Sequence, residues 1–148
     1  MPQAIGKLDH IGIAVRSLAQ ARTFYQDVLG GRFLFEVENP EAGFKLCELE
    51  FDGTILELME PLGENSFLHR FLETRGEGLH HLTFAVPDSK GKAAELKARG
   101  VRVVEEKEWS PTSYEAFISP RSTCGVLIQL GSGYPTLSRA PEWEQKKS

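Results

Sequence analysis

The chain carries one strand pattern twice, and each copy holds a histidine at the same point. Residues 8–15 match residues 79–86 at a constant offset, which makes His10 and His81 internal equivalents. Both runs alternate between apolar and small residues in the manner of a half-buried strand. A chain with this repeat is constrained to fold as two similar halves.

A second pair of runs repeats at nearly the same offset. Residues 54–58 match residues 126–130, so Glu57 is the counterpart of Gln129. If the two copies pack about a pseudo-twofold axis, one point receives a side chain from each of four strands: His10, Glu57, His81 and Gln129. Convergent imidazole and carboxylate groups indicate a metal site.

The first copy predicts the order β-α-β-β-β. After the first strand, Ser17 and Gln20 form a capping-box pattern, and apolar residues at helical spacing follow as far as the glycine pair at 30–31. Asp52 and Gly53 predict a hairpin, because this pair suits a type I′ turn. The three predicted strands after the helix are residues 32–37, 44–51 and 54–59.

The second copy repeats this order after a connector, residues 61–77, with a short amphipathic helix capped by Asn65 or Ser66. Asp88 is the predicted N-cap of its long helix, which ends at Gly100. Its predicted strands are residues 79–86, 101–104, 114–118 and 125–130. From residue 132 to residue 148, Pro, Ser, Glu and Lys dominate, which predicts a loosely ordered tail.

Neither copy is long enough to build a good core alone. We therefore predict a single α+β domain over residues 1–131, with modules at about 6–60 and 78–131. The modules are expected to form one curved mixed sheet, with helices outside and the metal site on the concave face.

Composition excludes several classes of function. Among 148 residues the net charge is −4, which argues against the basic surface of a nucleic-acid binder. No apolar run approaches the ~20 residues of a membrane-spanning helix, and no signal peptide is visible at the N-terminus. We expect a cytoplasmic protein without a membrane partner.

The alternation of side chains along a strand tests the metal set. His10 shares a face with the small residues Gly12 and Ala14, which leave room beside its ring. His81 lies on the corresponding face of its own strand, whereas His80 points the other way. Each of these residues alone would be read as an ordinary buried polar group, but four at equivalent positions favour a metal. Two imidazoles, one carboxylate and one amide suit cobalt, nickel, manganese, iron or zinc better than calcium.

These residues resemble the vicinal oxygen chelate superfamily, and within it the methylmalonyl-CoA epimerase group. The resemblance covers residues 7–131 and rests on five runs: 8–15, 38–43, 56–66, 76–82 and 119–130. It implies paired β-α-β-β-β modules, a divalent metal at the four positions above, a small-molecule substrate such as an acyl-CoA, and a homodimer. It also implies that Glu41, in the loop after Pro40, acts as an acid/base residue.

The chain departs from that family at informative positions. Gln129 replaces the glutamate that epimerases place on the final strand, and an amide cannot shuttle a proton. Ser119 replaces a histidine, and Glu115 lies in a run that is more basic in the family, where it would be a substitute acid or an exposed residue.

The expected activity is removal of a proton next to a metal-bound carbonyl or thioester. The second hypothesis is a glyoxalase I-like lyase, and the third is an extradiol dioxygenase. A non-catalytic binding or resistance protein is the alternative from a different functional class.

Overall fold

The computed structural model describes residues 3–133 and 136–138, which divide into two compact units. One unit comprises Met1–His10 with His81–Ser148, and the other comprises Ile11–His80. The described residues form eight strands: β1 (Lys7–Ala14), β2 (Arg32–Asn39), β3 (Phe44–Phe51), β4 (Thr54–Pro61), β5 (Gly78–Ala85), β6 (Val103–Ser110), β7 (Ser113–Ile118) and β8 (Ile128–Ser132). The helices are α1 (Leu18–Arg22), continued by a π-helix (Thr23–Val28), then α2 (Phe67–Arg75) and α3 (Ser89–Ala98), with a 3₁₀ turn at Pro120–Ser122.

The unit of residues 11–80 has the strand order β2-β3-β4-β1. The strands β2, β3 and β4 are antiparallel neighbours, and β1 pairs with β4 in parallel. One face of this sheet buries Ile13, Leu49 and Leu58 beneath α1, while the other packs Ala14, Leu46 and Met59 against α2. The sheet therefore has a core on each face.

The other unit has the strand order β5-β8-β7-β6, with the start of β1 beside β5. The pair β5 and β8 is parallel, whereas β7 is antiparallel to both β8 and β6. Helix α3 packs over this sheet, where Leu96 contacts a cluster that contains Val86, Ile118 and Leu130. Each unit thus contains both parallel and antiparallel pairs, and the predicted α+β class with its mixed sheet is confirmed.

Capping residues and turn residues predicted most of the helices and strands correctly. The side chain of Ser17 caps α1 by accepting from the backbone of Gln20, and Ser66 caps α2 in the same way. The Asp52 and Gly53 turn has positive φ angles of 50° and 94°, as a type I′ hairpin requires. The first strand, its helix and the three strands that follow appear in the predicted order.

Two strand boundaries were predicted wrongly, and one helix has a geometry that was not predicted. Strand β6 runs over Val103–Ser110 and not residues 101–104, because four consecutive charged residues obscure the alternation. Strand β8 begins at Ile128 and not at residue 125, since Cys124 and Gly125 form a turn with φ of 59° and 96°. The first helix changes to π geometry at Thr23, where Leu29 bonds back five residues to Phe24.

The predicted tail falls only partly within the described residues. Thr136 and Leu137 are buried there, and Ser138 donates hydrogen bonds to Asp9. Residues 134–135 and 139–148 lie outside the described part, and the prediction of a single domain over 1–131 stays a prediction. No helix among the described residues has the length and apolar character needed to cross a bilayer.

Candidate metal centre

Two histidines meet where β1 lies beside β5. His10 and His81 are both buried, and their ring centroids are 5.6 Å apart with the rings nearly perpendicular. A ring nitrogen of each lies within 4.8 Å of a ring nitrogen of the other. The internal repeat therefore brings its equivalent histidines together within one unit.

The ring of His10 is anchored through Nδ1. This atom lies 2.7 Å from Oδ2 of Asp9 and 3.2 Å from the hydroxyl of Ser138. A carboxylate only accepts hydrogen bonds, so Asp9 draws the proton of a neutral imidazole to Nδ1 and leaves the lone pair on Nε2. That arrangement is typical of a histidine that binds metal through Nε2.

Asp9 is itself held as a carboxylate. Burial alone would raise the pKa of Asp9, but hydrogen bonds with His10 and from the backbone and side chain of Ser138 outweigh burial and lower the pKa. Both bonds from Ser138 are 2.8 Å long. Asp9 was not predicted as a functional residue, because its partner Ser138 lies 129 residues away in the sequence.

A line of polar side chains continues from His10 across the same unit. The hydroxyl of Thr83 lies 3.0 Å from Nε2 of His10 and donates to Oε1 of Gln129 at 2.7 Å. Gln129 in turn donates from Nε2 to the carboxylate of Glu115 at 2.7 Å. Three neighbouring strands beyond β1 thus contribute polar side chains to one continuous chain of contacts.

Glu57 lies in the unit of residues 11–80. It is 8% exposed on β4, where its neighbour on β1 is Gly12 and its neighbour on β3 is Glu48. Residues opposite each other on adjacent strands share a face of the sheet, so Glu48 and Glu57 lie side by side. Glu48 is only 2% exposed and was also missed. Glu48 stands between the apolar residues Cys47 and Leu49 in a predicted strand, and this pattern could have identified it.

His80 has different surroundings from His81. It packs against the rings of Phe67 and Phe71 on α2, at centroid distances of 5.7 and 4.8 Å. Burial, with a contribution from the positive charge of Arg75, lowers the pKa of His80 to about 4. This histidine is a neutral packing residue.

Glu41 is exposed, in the turn between β2 and β3. The side chain of Asn39 stabilises this turn by accepting from the backbone of Ala42 at 3.0 Å. The structure therefore places Glu41 on an accessible turn, unlike the buried Glu48 of the following strand.

The donor set fits a divalent transition metal. Two buried imidazoles, one with its outer nitrogen bonded to a carboxylate, are ligands that zinc, cobalt, nickel and iron accept. The amide oxygen of Gln129 is an oxygen donor in the same unit as these two imidazoles.

The chain matches the model of the glyoxalase/bleomycin resistance protein/dioxygenase superfamily over residues 9–116. It is 38% identical to an uncharacterised protein of Bacillus subtilis, YqjC, over 85% of this chain and 91% of that protein. It is 32% identical to the ethylmalonyl-CoA/methylmalonyl-CoA epimerase of Cereibacter sphaeroides, over 85% of this chain and 97% of that one.

Its fold is similar to that of a solved epimerase. A variant of the Streptomyces coelicolor methylmalonyl-CoA epimerase, in complex with 2-nitronate-propionyl-CoA, superposes with a TM-score of 0.80 at 30% identity. The match covers 92% of this chain and 100% of the epimerase chain.

Proposed function

Because this chain belongs to the glyoxalase/bleomycin resistance protein/dioxygenase superfamily, we propose that it is a metal-dependent epimerase of the methylmalonyl-CoA type. The proposed substrate is an acyl-CoA with an acidic hydrogen next to its thioester. The observation that carries the proposal is the buried His10 and His81 pair, with Nδ1 of His10 anchored by Asp9. The epimerases to which the chain is similar support the substrate class.

We assign the metal to His10, Glu57, His81 and Gln129. Asp9 orients His10 for this role, and burial of the ligands excludes competing water. A divalent ion bound there would supply positive charge that stabilises the negative charge developing as the substrate loses its proton.

Proton transfer needs an acid/base group from the chain itself. Glu41 is the proposed acid/base residue, on the strength of the family resemblance. Glu48 is a buried carboxylate on the strand next to Glu57 and offers a second group for comparison. Gln129 cannot act as the acid/base residue, since a side-chain amide does not ionise near neutral pH.

Exchange of the substrate's C2 hydrogen with deuterium tests the proposed activity. Metal-loaded protein in D₂O should replace this hydrogen of methylmalonyl-CoA, as followed by NMR. Glu41→Gln should slow the exchange by about 10²-fold or more, the usual contribution of a general acid or base. Glu48→Gln serves as the comparison variant.

A metal-loaded protein that exchanges no hydrogen would contradict the epimerase. The neutral side chain of Gln129 would then favour a binding protein of the same fold, and saturable binding of the acyl-CoA without turnover would identify it. We also propose a homodimer, which sedimentation velocity at micromolar concentration would test.

A further inference from the structure

The amide of Gln129 is held from both ends. The Thr83 hydroxyl donates to its oxygen at 2.7 Å, and its nitrogen donates to Glu115 at 2.7 Å. Thr83 is fully buried on β5 and Gln129 is 7% exposed on β8, while Glu115 comes from β7. The amide therefore has one orientation, set by side chains on both neighbouring strands.

The chemistry of the partners determines which end faces which way. A carboxylate accepts hydrogen bonds and cannot donate them, so the amide nitrogen must point to Glu115. The amide oxygen then faces Thr83, whose hydroxyl lies 3.0 Å from Nε2 of His10. The oxygen is thus on the side of His10, and it is the only atom of the amide that binds a metal well.

We propose that Glu115 is a positioning residue that keeps the oxygen of Gln129 directed toward the metal. The inference rests on the proposed metal site. A glutamine at position 129 needs this orientation, because a flipped amide would present hydrogen atoms to the ion. A glutamate there would need no orienting partner, because its two oxygens are equivalent, and it would be repelled by Glu115.

If Glu115 positions Gln129, removal of Glu115 should have opposite effects on metal affinity in the wild type and in the Gln129→Glu variant. Calorimetric titration with Co²⁺ would measure metal affinity in the wild type, Glu115→Ala, Gln129→Glu and the double variant. Glu115→Ala should weaken binding about tenfold in the wild-type background, as loss of an outer partner of a ligand does. The same substitution should strengthen binding in the Gln129→Glu background, since it removes a neighbouring like charge.

A conservative variant separates orientation from general loss of structure. Glu115→Gln keeps an oxygen that accepts from Gln129, so it should retain more of the wild-type affinity than Glu115→Ala. Thermal unfolding of the metal-free variants shows whether they remain folded. Equal effects of Glu115→Ala in both backgrounds, or no effect in either, would overturn the positioning role.

The same measurements separate this inference from the proposed function. If the wild type binds Co²⁺ and the opposite effects are seen, the positioning role stands even where no hydrogen exchange is found. If the wild type binds no Co²⁺, the metal site and the positioning role both fail.

Discussion

At the scale of single residues, the two histidines at positions 80 and 81 show how strand geometry assigns different roles to identical side chains. His81 lies with its ring edge against His10, whereas His80 packs against two phenylalanines of α2, and burial lowers its pKa to about 4. Neighbours along a strand point to opposite faces, so the difference follows from one step along the backbone.

Alanine substitutions should separate the two histidines. His81→Ala should abolish stoichiometric metal in the purified protein, because it removes one of two imidazole ligands. His80→Ala should leave the metal content largely intact while it lowers stability by loss of packing. Elemental analysis of both variants measures the outcome, and equal metal loss in the two would refute the assignment by strand face.

The two cysteines should differ in reactivity. Cys47 is buried, whereas Cys124 is exposed in the turn before β8. Burial raises the pKa of the Cys47 thiol to about 11, so this group stays protonated at pH 8. A disulfide reagent should therefore titrate one thiol quickly in the native protein and two after denaturation. Cys124→Ser should remove the fast reaction, whereas rapid loss of both native thiols would contradict the burial of Cys47.

At the scale of elements, prediction succeeded where the signal lies within a few residues of the chain. The caps of α1, α2 and α3 and the Asp52 and Gly53 hairpin were all predicted from neighbouring side chains. The bounds of β6 were not, because its residues Glu105 to Glu108 are charged and its register against β7 is irregular. An edge strand with solvent on its surface does not need the alternation that marks a buried strand.

The N-cap of α3 should contribute measurably to stability. The side chain of Asp88 accepts from the backbone of Gly91 at 2.9 Å, while Asp88 itself is exposed. Asp88→Ala should lower the free energy of unfolding by about 1 kcal/mol, because it leaves an amide at the helix end without this partner. Asp88→Asn is the matched control, since asparagine caps nearly as well. Urea unfolding measures both, and equal stability of the two variants would show that the cap contributes nothing.

At the scale of the whole molecule, a metal that binds only the folded chain must stabilise it. The proposed ligands lie in distant parts of the sequence, so unfolding would separate them and release the ion. The stabilisation amounts to ~2.7 kcal/mol when the free metal is at 100 times its dissociation constant.

Metal should therefore raise the unfolding temperature of chelator-treated protein. Differential scanning fluorimetry with Co²⁺ or Zn²⁺ should show an upward shift that increases with metal concentration. The double variant His10→Ala/His81→Ala should show no such shift, and Mg²⁺ should have little effect on either protein. A wild type that gains no stability would favour the binding-protein alternative.

The sequence by itself determined the α+β class, the order of the elements and the equivalence of His10 and His81, because periodicity, capping and turns depend on nearby residues. The tertiary structure alone decided which groups surround those histidines. Asp9 and Ser138 are 129 residues apart, and Thr83, Gln129 and Glu115 come from three strands. The contacts between these distant residues are set by the tertiary structure, which no local pattern records. The repeat thus located the histidines, while the tertiary structure brought Ser138 and Thr83 to His10.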